Sequence, residues 1–187
     1  MYKFGFSGKM RSGKDTGADY VISRLTQFGL DTERLAFADT LKRIGSYIQQ
    51  ECGFPVERDR ELYQWLGTDY GRKRNNNVWV DALERKIETL ETEGDTDAIV
   101  ITDVRFPNEV EMLHRHGFTL VRVAANTSLR LFRGADPDCL EHLSEIALDE
   151  LDKRQTFDWM IQNEGSLEDY KKVLDAVIAR EQLEGNN

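Results

Sequence analysis

At 187 residues the chain has the length of one ordinary domain, long enough to bury a core without disulfide or metal staples. Its 25 basic and 34 acidic side chains leave a net charge of -9, which argues against bulk duplex binding, since that requires a broad basic face. No apolar run approaches the ~20 residues that span a bilayer, and Cys52 and Cys139, with no metal-like spacing and no secretory leader ahead of them, read as reduced thiols buried as small hydrophobes in a cytosolic protein.

Residues 2 to 6, YKFGF, alternate at period two and predict a strand. After SGKMRSGKDTG, the apolar positions Ala18, Val21, Ile22 and Leu25 fall on one helical face. ERLAFAD predicts a second strand, followed by a helix with Leu41, Ile44 and Ile48 on its core side until Gly53 and Pro55 stop it. Residues 56 to 79 are polar, with a loop-rich second half, and the stretch from about 53 to 80 is expected to be a substrate-facing insertion. A helix carrying Val80, Leu83, Ile87 and Leu90 then leads to the apolar strand AIVITDV at 98 to 104, whose lack of a polar face points to a parallel sheet covered on both sides. Pro107 opens the next helix, Gly117 closes it, and FTLVRVAA is the following strand. The polar stretch from Asn126, with Arg130, Arg133, Gly134 and Pro137, is expected to be a mobile lid over about 126 to 140. CLEHLSEIALDEL predicts a helix and FDWMIQN a last strand, before a final helix with Leu167, Tyr170, Leu174, Val177 and Ile178 on its buried face.

Gly8, Gly13 and Lys14 fit the pattern G-x-x-x-x-G-K, in which backbone N–H groups wrap phosphates and the lysine reaches the β and γ oxygens. Its position between a predicted strand and a predicted helix, whose N-terminus favours anions, is the one this chemistry needs. Asp15 stands where a magnesium-binding hydroxyl usually follows the lysine, and the hydroxyl comes one residue later at Thr16. Asp15 fits two readings, a magnesium ligand or an acidic residue favoured by the helix dipole. GKDT resembles the GKGT of adenylate kinases more than the GKS or GKT of GTPases, which favours a small-molecule kinase.

Five segments in order, SGKMRSGKDT at 7 to 16, LGTDYGRKRNNNVWV at 66 to 80, ITDVRFPNEVEMLHRHG at 101 to 117, HLSE at 142 to 145 and IQNEGSLEDY at 161 to 170, give a likeness that runs from end to end. The chain resembles the bacteriophage-type deoxynucleoside monophosphate kinases. That resemblance implies an α/β, three-layer P-loop kinase fold with a central, mostly parallel sheet, helices on both faces and a mobile lid, in one domain over residues 1 to 187. It implies Mg2+, ATP as phosphoryl donor and a deoxynucleoside monophosphate as acceptor, in a host cytoplasm, with a homodimer suggested and with no nucleic acid polymer or membrane as partner.

The resemblance assigns ATP binding to Gly8, Lys9, Arg11, Ser12, Gly13, Lys14, Asp15 and Thr16, and to the N-x-G-S turn of Asn163, Gly165 and Ser166, which fits a helix cap as well. Metal binding falls to Thr16, Asp15 and Asp103. Asp103 and Arg105 stand at the C-terminal end of a predicted parallel strand, where ligands of open α/β sheets bind. Asp103 would order magnesium or the acceptor, or cap a helix; Arg105 would grip the acceptor phosphate, or form a surface ion pair. Arg72 or Arg74 would meet the acceptor phosphate, Trp79 would wall its base or pack under the next helix, and His142 with Glu145 would orient a loop or the base, or form a surface pair. Lys14, Arg11, Asp103 and Arg105, with Arg130 and Arg133 entering from the lid, would carry catalysis. The rivals are P-loop kinases of other acceptors (dephospho-coenzyme A, phosphomevalonate, gluconate), a non-catalytic nucleotide binder, and a single-strand nucleic-acid binder, which the net charge disfavours.

Overall fold

The computed structural model describes residues 1–137, 147, 149, 151–152 and 156–184. Five strands, β1 (Tyr2–Ser7), β2 (Thr32–Leu35), β3 (Ala98–Val104), β4 (Thr119–Ala124) and β5 (Trp159–Gln162), form one sheet in the order β2-β3-β1-β4-β5. Every pairing is parallel. Parallel neighbours need crossovers, and helices supply them: α1 (Lys14–Gln27), α2 (Ala38–Glu51), α3 (Arg60–Gln64), α4 (Val78–Glu93), α5 (Pro107–Arg115), α6 (Thr127–Phe132) and α7 (Leu167–Glu184). This is the expected α/β architecture with helices on both faces. Among the described residues no helix is long and apolar enough to cross a membrane.

The alternation within β3 divides the core. Ile99 and Ile101 point into one cluster with Val80, Leu83 and Ile87 of α4 and Val110 and Leu113 of α5. Ala98 and Val100 point into the other, with Val21 and Leu25 of α1 and Leu174 and Val177 of α7. Between them lies Gly5 of the central strand, where a Cβ would come within 2.6 Å of Leu120 Cδ2.

Four expectations are corrected. Within residues 56 to 79 the expected loop is shorter than predicted: α3 runs into a π-helical segment, Trp65–Arg72, closed by a bond from the Lys73 N–H to the Thr68 carbonyl, five residues back, at 3.0 Å, and only 73–77 form a turn before α4. Gly67 and Gly71 belong to this helix rather than to a loop, and they let Leu41 and the Trp79 ring approach closely. The α2 stripe of Leu41, Ile44 and Ile48 is only half-buried, because α2 packs chiefly on α4, α3 and the π-helical segment, at the side of a cleft. Leu167 is 54 % exposed at the start of α7. Cys52 is exposed rather than a core residue, and Cys139 lies outside the described residues.

Candidate active site

The chain leaves β1 at Ser7 and wraps through residues 8–13 into α1. This turn fits only small residues at its key points. A Cβ on Gly8 would meet Ser12 Oγ at 2.4 Å and the Val123 carbonyl at 2.7 Å, and Gly13 combines a φ of 103° with an approach that would put a Cβ 2.2 Å from Asn163 Nδ2. Arg11 at the tip has a φ of 60°, a left-handed conformation costly for a side chain of that size.

Late parts of the chain hold the loop in place. Asn163, just after β5, donates Nδ2 to the Ser12 carbonyl at 2.8 Å, and Tyr170 of α7 donates its hydroxyl to the Gly13 carbonyl at 3.1 Å. Burial pushes the Tyr170 phenol well above its ordinary pKa, so it remains a neutral donor. Arg133, following α6, donates to the Ser12 carbonyl at 3.3 Å and to the Asn163 carbonyl at 3.0 Å. Lys14 is buried at the first position of α1, with Nζ 3.0 Å from the exposed Asp15 carboxylate.

The opposite wall rises from the end of β3. Asp103 accepts the N–H groups of Phe37 at 2.8 Å and Ala38 at 3.1 Å, and so caps α2 from the end of the neighbouring strand. Burial pushes its carboxyl up, against the opposing pull of those two N–H groups, Arg105 and Lys42. Glu109 of α5 is 1 % exposed. Its Oε1 accepts Arg72 Nη2 at 2.8 Å, and its Oε2 accepts the N–H groups of Arg105 at 2.7 Å and Phe106 at 3.0 Å. Burial and then the Asp103 charge push Glu109 up to about 7. The Arg72 guanidinium lies 4.1 Å from the centre of the Phe106 ring.

Between these walls lies an open cleft of about 1760 Å3. Although the whole chain carries -9, the cleft is lined by nine Lys and Arg and only five Asp and Glu. Arg11, Gly13, Lys14, Asp15 and Thr16 line it from the loop side, Arg72, Trp79, Asp103 and Arg105 from the other, with Arg133, Asn163 and Gly165 alongside. Trp79 is buried and donates its indole N–H to the Gly67 carbonyl at 3.0 Å, so it packs beneath the π-helical segment with only part of its ring toward the cleft. Of the two candidate arginines around Lys73, Arg72 lines the cleft. Arg74 instead stacks 4.3 Å from the Tyr70 ring and donates to the carbonyls of Asp69 and Tyr70.

Other expected residues lie elsewhere. Gly8 and Ser12 shape the loop from within. Lys9 pairs with Asp149 at 2.5 Å and, with Arg130, lines a separate pocket of about 210 Å3, where Arg122 makes a two-pronged pair with Asp152. Arg130 is 3 % exposed in this second pocket, which corrects its placement in the main cleft, because α6 is already formed and turns that side chain inward. Ser166 caps α7, accepting the Asp169 N–H at 3.1 Å. His142 and Glu145 lie outside the described residues, as do 138 to 140 of the expected lid.

Sequence reasoning missed Arg34, Lys42, Arg58 and Arg60, which add positive charge to the cleft, and Glu109. Glu109 had a legible signal. It stands three residues after the residue preceding the helix, where a glutamate reaches back to cap the N-terminus.

A family model described as deoxynucleotide monophosphate kinase matches residues 55–174. An uncharacterised protein, ORF77, of Ictalurid herpesvirus 1 (strain Auburn) is 36% identical over 149 residues, 78% of this chain and 58% of that protein. The deoxynucleoside-5′-monophosphate kinase of Escherichia phage T5 is 44% identical over 55 residues, 29% of this chain and 20% of its own length. The chain thus spans little more than half of the first relative and a fifth of the second. Among solved structures, dephospho-CoA kinase from Campylobacter jejuni superposes with a TM-score of 0.53 at 12% identity over 99% of this chain and 98% of that one, a likeness of fold.

Proposed function

We propose that this chain, which belongs to the deoxynucleotide monophosphate kinase family, transfers the γ-phosphoryl group of ATP to a deoxynucleoside 5′-monophosphate, giving the diphosphate and ADP. One observation carries the reading: Lys14, at the junction of a phosphate-type loop and α1, shares a single positive cleft with Arg72, Arg105 and Arg133. Phosphoryl transfer asks mainly for alignment and charge neutralisation, and convergent cations supply both.

In this reading the loop from Gly8 to Gly13 and the first turn of α1 hold the donor's phosphates, and Lys14 exchanges its pairing with Asp15 for the β and γ oxygens. Arg133, fixed by two backbone carbonyls, and Arg11 face the same phosphates. Asn163 and Gly165 border the donor's base. Arg72 and Arg105 grip the acceptor's phosphate, and Trp79 with the π-helical segment forms the wall behind it. Thr16, Asp15 and Asp103 offer hard oxygen donors in one cleft and fit a magnesium ion, since each Asp103 oxygen keeps a lone pair beyond the N–H it accepts. A bound magnesium ion held there would neutralise phosphate charge.

The test is ADP release from MgATP with dAMP, dCMP, dGMP, dTMP and dUMP, run beside dephospho-coenzyme A and phosphomevalonate. Release driven by one or more deoxynucleotides is expected. Release driven only by another acceptor would replace the substrate, and none with any acceptor would reduce the protein to a nucleotide binder.

A further inference from the structure

We infer that Glu109 is the positioning residue of the acceptor subsite, one buried carboxylate that sets both the Arg72 guanidinium and the main chain of Arg105 at the cleft wall. The inference rests on the kinase reading above. A helix cap alone does not call for this residue: a neutral acceptor would satisfy the Arg105 and Phe106 N–H groups, without the cost of burying a charge. What the charge adds is the hold on Arg72, which comes from the π-helical segment 37 positions earlier in the chain. The guanidinium is fixed from two directions, by Glu109 Oε1 at 2.8 Å and by the face of Phe106 at 4.1 Å. The bond to Glu109 uses Nη2, and a guanidinium has five N–H donors, so a planar fork can still be offered to a phosphate. Oε2 meanwhile fixes the backbone of Arg105, so two arginines from different elements take their places from a single group.

Glu109→Gln keeps one acceptor oxygen but cannot serve both partners. It is expected to raise the acceptor KM about tenfold while the ATP KM stays within about twofold. Arg72→Lys keeps the charge without the fork and is expected to raise the acceptor KM to a similar degree. Because the two residues act as a unit, the double variant should be no worse than Arg72→Lys alone. An unchanged acceptor KM in Glu109→Gln, additive effects in the double variant, or equal losses in kcat and in both KM values would overturn the inference. Should Glu109→Gln lose its cooperative melting transition, Arg72→Lys decides, and a wild-type acceptor KM there overturns the inference as well. If the unmodified protein releases no ADP with any deoxynucleotide, the deoxynucleotide kinase reading fails; if it turns over and Glu109→Gln behaves like it, only the role of Glu109 fails.

Discussion

Lys14 is nearly buried, and its partner is a carboxylate that is 64 % exposed, so the pair is open to exchange with a better anion. Lys14→Ala is expected to lower kcat/KM by at least about 100-fold without moving the thermal midpoint appreciably; near-normal turnover would remove the loop from the mechanism. Glu109 carries a different expectation. Its folded-state value of about 7 lies above its ordinary 4.5, so between those values the folded chain holds more protons than the unfolded one. The stability it contributes is therefore fully present below 4.5 and lost as pH rises through about 7, and Asp103 acts in the same direction. Urea midpoints at about pH 5 and about pH 8 should show Glu109→Gln gaining on the wild type at the higher pH; a constant difference would contradict this. The loop residues were legible because their spacing is itself the chemistry. Arg130 and Arg133 were not separable, since three positions along a short helix decide which guanidinium turns inward.

At the scale of elements, Asp103 belongs to two of them at once. It ends β3 and caps α2, so its loss should be felt in a helix that never touches it in sequence. Asp103→Ala is expected to cost about 1–2 kcal/mol, with faster amide exchange confined to the first turn of α2; unchanged exchange there would rule out the cap. Gly71 lies inside the π-helical segment, where a Cβ would stand 2.8 Å from the Trp79 ring and 2.9 Å from the Leu66 carbonyl. Gly71→Ala should therefore destabilise by about 1–3 kcal/mol, measurable as a lower denaturation midpoint. Long amphipathic helices such as α1 and α4 could be read directly, because burial follows their period. The π-helical segment could not. A bond to the fifth residue back leaves no familiar apolar spacing, and its two glycines look like loop residues until Leu41 and Trp79 are seen against them.

Across the whole molecule, charge is separated: an acidic protein holds a basic cleft. In the proposed kinase reading such a cleft draws in nucleotides by its local field, and salt should raise both nucleotide KM values several-fold between about 0.05 and 0.3 M while leaving kcat nearly unchanged. Insensitivity to salt would mean that contact hydrogen bonding, not the field, governs capture. The alternation of strands and helices made the layered architecture legible, whereas the strand order and the cations gathered from α2, α3 and the end of β2 depend on tertiary placement that no local pattern records. That strand order also fixes a sequence of events. The central strand pairs Tyr2 with Ala98 on one side and Phe4 with Thr119 on the other, so each strand pairing that seats it closes a very long loop. During synthesis, β1 and the loop after it emerge before either strand that flanks β1 exists, and the residues that pin the loop, Asn163 and Tyr170, come later still. The loop is thus made before the parts that hold it and takes its final shape only after they follow.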